Sequence, residues 1–379
     1  AGGRIVVRAK DHSLFNSKTD VQAEPGATGA GVGPAGGAGG RGTVAFIKID
    51  PTADMTVDDT TADDVELELY RSWRWEPSAE PYSYQKVTIQ PDTIVVAGSD
   101  ANLTSSDLII TGASWDMTID SSNGGAASGN VNLTVENATI TNSAIDTGNS
   151  HIWNVNATGS YTQTGGTLNA QTVQIHGTAE VLLNGNTTVT GQSIDVAGAS
   201  VTIAAGASLL TDGRGYAAAA GPGAGTSSLS GAGGGGGHGG RGGAGGGGSA
   251  AGGGIYHDSA LLPNDFGSGG GNGRRTEGGA GGGRILVTST GTVSLGGALS
   301  AGGSTAPSDP NGGTGGGGAG GTIRIKADTF SGSGLLKANG GNGGADYTTG
   351  GSEEGRGGGG AGGRIVVRAK DHSLFNSKT

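Results

Sequence analysis

Few residues in this chain have the types and spacing that chemistry would need. Asp54, Asp58, Asp59, Asp63 and Asp64 fall within eleven residues, just ahead of an alternating apolar segment. Clustered carboxylates suit a hard divalent cation, so Asp58, Asp59, Asp63 and Asp64 are candidate Ca2+ ligands. The same cluster also reads as a solvated acidic loop. Trp73, Trp75, Tyr82 and Tyr84, with Tyr70, Arg71 and Arg74 among them, could contact a sugar or a protein. They could also form a packed aromatic strand face with arginine stacked on it. Asn-x-Thr sequons at Asn102, Asn132, Asn137, Asn156 and Asn186 would accept N-glycans in a host that glycosylates. Asn and Thr are equally the residues expected at the corners and faces of a stacked β structure.

Catalysis finds little support. Asp107, Asp116 and Asp120 are neighbours in sequence only, and glycoside cleavage needs two placed carboxylates. His151 and His176 lack a third ligand. Gly340 to Asp346 sets its aspartate one place late for a calcium-binding glycine nonapeptide. GxGxxG matches carry no weight without a strand–helix context. The reading is therefore of a non-enzyme with no cofactor beyond the candidate Ca2+. There is no cysteine and hence no disulfide. The net charge of −10 disfavours nucleic acid and anionic membrane as partners. No apolar run is long enough to span a bilayer.

The elements that must carry these residues differ along the chain. Residues 43–97 contain no glycine. Val65, Leu67 and Leu69 alternate with Glu66 and Glu68, the period of a half-buried strand, and the segment is expected to be a small, largely antiparallel β insertion. Residues 98–212 repeat a pattern of short strand, then Gly or Asn, then a small residue. Its anchors are Gly112, Asn137, Asn156, Gly177 and Gly198, spaced 25, 19, 21 and 21. Gly and Asn tolerate left-handed backbone, as a repeated corner would require. About 21 residues per rung implies a parallel β-helix, with Ile109, Val135, Val155, Ile175 and Val196 stacked inward.

Residues 213–363 hold 60 of the 85 glycines. GGGRILV (281–287), GGTIRI (320–325) and GGRIVV (362–367) begin three copies of one motif, placing Arg284, Thr322 and Arg364 in line. Leu210, Leu299 and Leu336 head a second aligned element. Glycine runs cannot bury side chains, so their order must come from the backbone. Extended three-fold helices can approach closely where no Cβ intervenes, which implies a flat, stacked polyglycine-II-like layer. Residues 1–42 read as the end of such a repeat.

Residues 1–19 and 361–379 are identical at every position. That is the signature of a tandem array with a 360-residue period, in which 361–379 starts the next unit. The second copy carries +3, so one unit carries −13.

At GGGGAGGRIVV and ASLLTDGRGY, followed by GGGGGHGGRGG, the chain resembles the glycine-rich β-helix repeats of very large bacterial surface proteins. The glycine runs are similar to the polyglycine-helix sandwiches of some phage tail-fibre adhesins. The resemblance covers 195–363 and 1–42. It implies an all-β solenoid at the cell surface or outside the cell, as a structural fibre or an adhesin. Covalently adjacent units are the expected partners, with neighbouring fibres or surface glycans as further ones. Ice binding is disfavoured by the irregular spacing of Thr104, Thr118, Thr134, Thr139 and Thr158.

Overall fold

The computed structural model describes residues 4–9, 43–48, 66–75, 82–97, 100–116, 129–248, 250–255, 259, 261–346, 355–372 and 375. These residues are all-β: twenty-two strands and one three-residue 3-10 turn, Gly246–Gly248. The strands build a large, parallel sheet. The chain divides into two compact units, residues 1–182 and 183–379.

In the first unit, residues 66–177 form three columns of parallel pairing. Leu69, Ile89, Ile110, Ile140 and Gln163 lie in register in one column. Trp73, Val95, Trp115, Ile145 and Leu168 do so in the second. Leu103, Leu133, Val155 and Ile175 do so in the third. The chain visits the columns in a fixed order. Residues 101–105, 107–111 and 114–116 serve the third, first and second in turn, and 131–135, 137–141 and 143–146 repeat the sequence. Leu69 to Ile89 is 20 residues, Ile89 to Ile110 is 21 and Ile140 to Gln163 is 23. The longer step of 30 from Ile110 to Ile140 contains residues 117–128, outside the described set.

Alternation decides the core. Along Val131–Asp146 the odd residues to Val135 are buried, then Ala138 and Ile140, then Ser143 and Ile145. Each fully buried Leu, Ile or Val is worth about 1.5–3 kcal/mol over leaving it exposed. Large side chains interlock between columns, with Trp115 and Trp153 edge to face at 5.3 Å. Tyr161 is wholly buried, and burial pushes its phenol above its ordinary value. It therefore stays protonated and donates to Gln163 Oε1 at 2.8 Å.

Left-handed residues recur from pass to pass, but not at the positions that the sequence alignment predicts. Asp92, Gly112, Asn142 and Gly165 have φ of 63°, 55°, 47° and 69°. Asp92 N–H donates to Gly112 O and Gly112 N–H to Thr141 O, and Asn142 and Gly165 meet at the break in the ladder between Thr141–Thr164 and Ser143–Gly166. Of the five expected anchors only Gly112 is left-handed. Asn137 and Asn156 sit within strands, and Gly177 and Gly198 end strands. Those asparagines are there for their side chains, as shown below. Ile109 also departs from expectation. It faces outward between buried Leu108 and Ile110, whereas Val135, Val155, Ile175 and Val196 are buried.

The expectation for 43–97 is corrected too. One pair is antiparallel, Thr43–Lys48 against residues 66–71. The rest of the described segment joins the parallel columns. Alternation reports a buried face but not the direction of the partner strand, so Leu67 and Leu69 fit both.

The second unit has its own three columns. Ile194, Ile285, Ile323 and Ile365 share one, with Arg284, Thr322 and Arg364 in register beside them. Val201, Val293 and Phe330 share another. Val189, Leu209, Leu299 and Leu336 share the third. Leu209, rather than Leu210, is thus the residue aligned with Leu299. After Leu210, Ser300 and Lys337 the chain leaves for a glycine-rich excursion and returns at Arg284, Thr322 and Arg364.

These excursions are joined backbone to backbone with a period of three. Gly357, Gly360 and Gly363 donate to Gly344, Gly341 and Ala338 at 2.7–3.1 Å. Gly317 and Gly320 donate to Gly358 and Ala361, and Gly318 and Gly321 to Ser304 and Ala301. Segment 313–321 bonds six neighbouring segments: 231–240, 267–273, 275–283, 301–306, 338–345 and 355–363. The expected flat layer is therefore a three-dimensional bundle. A two-residue period aims peptide groups to two sides, as in a sheet. A three-residue period aims donors three ways and acceptors three ways, so an interior segment reaches six partners.

Candidate functional site

A polar groove of about 450 Å3 lies in the first unit. Tyr84, Thr104, Ser105, Ser106, Thr134, Val135, Glu136 and Thr158 line it. It forms where strands 101–111 and 131–146 pass from the third column to the first. Pairing runs to Ser105 and Val135, resumes at Asp107 and Asn137, and skips Ser106 and Glu136. That break turns two polar side chains out of the ladder. Thr104 and Thr134 are in register beside it, one strand spacing of about 4.8 Å apart. The lining offers hydroxyl donors and acceptors, one aromatic ring and a single carboxylate. It can hydrogen-bond a polyol. A lone carboxylate does not supply the acid and base that glycoside cleavage needs.

Beside the groove runs an amide ladder. Asn132 Nδ2 donates to Asn102 Oδ1 at 3.0 Å, and Asn154 Nδ2 to Asn132 Oδ1 at 3.3 Å. Asn156 Nδ2 donates to Asn154 Oδ1 at 3.4 Å. Asn137 Nδ2 donates to Asp107 Oδ1 at 3.3 Å, and Asn137 Oδ1 accepts from Ser160 Oγ at 3.0 Å. Asn102, Asn132, Asn137 and Asn156 thus use their amides across or along the strands, while Asn186 lies exposed in a turn.

The other candidates are dispersed. Asp58, Asp59, Asp63 and Asp64 lie outside the described residues, and among the described ones no group of three His or carboxylate side chains is placed to hold a metal. Trp73 and Trp75 are on a strand of the second column, opposite Val95 and Ala97. Tyr82 and Tyr84 are on a strand of the third, opposite Leu103 and Ser105. The backbone therefore does not gather the four aromatics on one strand face, and Tyr84 lines the groove. Asp107 is engaged by Asn137, and Asp120 lies outside the described residues. Ser106 and Glu136 were invisible as site residues in the sequence. Their only signal is a polar pair where strict alternation slips by one residue.

Comparison with family models, with curated proteins and with solved structures finds no match to this chain.

Proposed function

We propose that the chain is the repeat unit of a long extracellular or cell-surface fibre. In this reading the three columns of each unit are the faces of a parallel β-solenoid. The glycine bundle is a polyglycine-II-like core riding on it, and the role is mechanical rather than enzymatic. One observation carries the reading. The duplicated sequence RIVVRA forms a strand in both places, with a different neighbour each time. Arg4–Ala9 pairs in parallel with Thr43–Lys48, which follows it. Arg364–Asp371 pairs in parallel with residues 322–329, which precede it. Within 66–177 and 189–371 the parallel columns add strands in chain order, and Arg4–Ala9 pairs onward in parallel with Thr43–Lys48, so a strand with both neighbours would sit between 322–327 of one unit and 43–48 of the next. A chain of two consecutive units sharing one copy tests this. Electron cryomicroscopy should show columns running unbroken through the junction. Two bodies on a flexible link would overturn the reading.

The groove favours a second reading, an adhesin that takes a neutral glycan segment. Its hydroxyls recur at the strand spacing, Glu136 would accept from sugar hydroxyls, and Tyr84 supplies an apolar face. Under this reading Tyr84→Ala and Glu136→Gln each weaken oligosaccharide binding at least tenfold in calorimetric titration. Binding unchanged in both variants would place any glycan elsewhere.

A further inference from the structure

The seam where each pass of the first unit leaves the third column for the first carries a repeating polar track. The skipped pair in the groove is one step of it. Gln85 is skipped opposite Ser106, and Ser106 opposite Glu136. In the next two passes Thr158 follows the paired Ala157, and Thr178 follows the paired Gly177. All five of these side chains are exposed. A second line, Thr104, Thr134, Asn156 and His176, runs in register two residues earlier in each pass. Between the two lines lies a floor of small buried residues, Ser105, Val135, Ala157 and Gly177. Tyr84 pairs with Ser105 and so stands at one end of that floor.

We infer that this track binds an extended, neutral, β-1,4-linked glycan lying along the stacking direction, one sugar to each pass. It rests on the glycan-binding reading above, to whose ligand it gives a shape and a direction. Polar rails that recur at every pass on either side of a narrow floor fit a linear polymer rather than a compact ligand. The step from pass to pass is about 4.8 Å, close to the advance of one residue in a straight β-1,4-linked chain. An α-1,4-linked chain curls and leaves a straight track after a few residues. Among the rail residues only Glu136 carries a carboxylate and none is Lys or Arg, so the rails suit hydroxyl groups better than a charged polymer. The hydroxyls of Thr104, Ser106, Thr134, Thr158 and Thr178 both donate and accept, as those of a sugar do. Tyr84, which lines the groove, offers an apolar ring to the sugar at that end.

Calorimetric titration of the full chain with cello-oligosaccharides, from the disaccharide to the hexasaccharide, tests this. Affinity should rise about threefold with each added sugar, as its hydroxyls gain net hydrogen bonds. The rise should level off once the five passes from Gln85 to Thr178 are filled. Malto-oligosaccharides should show no such rise. Thr158→Val with Thr178→Val removes two rail hydroxyls and keeps β-branched strand residues, so the gain from the fourth and fifth sugars should disappear. A wild-type series that does not rise with length overturns the track, whether or not any variant folds. An equal rise in the malto-oligosaccharide series also overturns it, as does a gain from the last sugars retained in the double variant. The glycan-binding reading fails separately. A flat series whose binding is lost in Tyr84→Ala removes the track and keeps a glycan site in the groove, whereas no binding of any neutral oligosaccharide removes both.

Discussion

The strand columns of 66–177 and the glycine bundle of 211–363 solve one problem by opposite means. Both must line up successive passes of the chain and satisfy every peptide group. In the columns, side chains choose the register. Leu103, Leu133, Val155 and Ile175 stack because each is buried in register with the next. In the bundle, side chains are removed so that backbones can touch. A Cβ on Gly316 would collide with the Gly234 carbonyl, and one on Gly317 with that of Gly341. Order in the first region is written in which residues are present, and in the second in which atoms are missing. The two should therefore fail differently.

The largest effect is expected in a column. Val155→Asp or Ile175→Asp places an unpaired carboxylate where exposure is nil, a loss of about 4–5 kcal/mol or more. Thermal unfolding should show the first unit melting far below the wild type. Equal melting temperatures would remove the column alignment.

Next comes the bundle. Gly316→Val with Gly317→Val should cost about 3–4 kcal/mol, from two overpacked sites at about 1–3 kcal/mol each with some relaxation. The signature is regional. Amide exchange should accelerate across 313–321 and its six neighbouring segments while residues 194–203 stay protected. Protection retained in 313–321 would show that close backbone approach is not what orders it.

That contrast also explains what the sequence could reveal. The period near 21, the in-line Arg284, Thr322 and Arg364, and the need for backbone-only order in the glycine runs all follow from local rules. Register did not. Asn137 and Asn156 look like corner residues because asparagine tolerates positive φ, but they serve a side-chain ladder. The left-handed corner falls instead at Asp92, Gly112, Asn142 and Gly165. The flat layer was a misjudged dimension. A run such as GGTGGGG (312–318) announces close approach but does not say from how many sides. The groove was least legible, because Ser106 and Glu136 meet only through a skipped pair in two strands 30 residues apart.

The smallest expected effect probes whether polar side chains add to register where apolar ones already set it. Asn132 donates to Asn102 and accepts from Asn154, with its flanking Val131 and Leu133 wholly buried. A net hydrogen bond is worth about 0.5–1.5 kcal/mol, and both of these lie at a hydrated surface where water can replace them. Asn132→Ala should therefore destabilise by less than about 1 kcal/mol in total. Asn132→Val should come closer to zero, since a β-branched residue suits an outward strand position and offsets part of the loss. Both variants should leave the exchange protection of Leu133 and Val155 unchanged. A loss above about 2 kcal/mol, or slippage of the 131–135 pairing detected by amide exchange, would mean that the amide ladder helps set the register. The contrast between side-chain-ordered columns and backbone-ordered bundle would then need a third term, a polar ladder on the outer face that acts with the core.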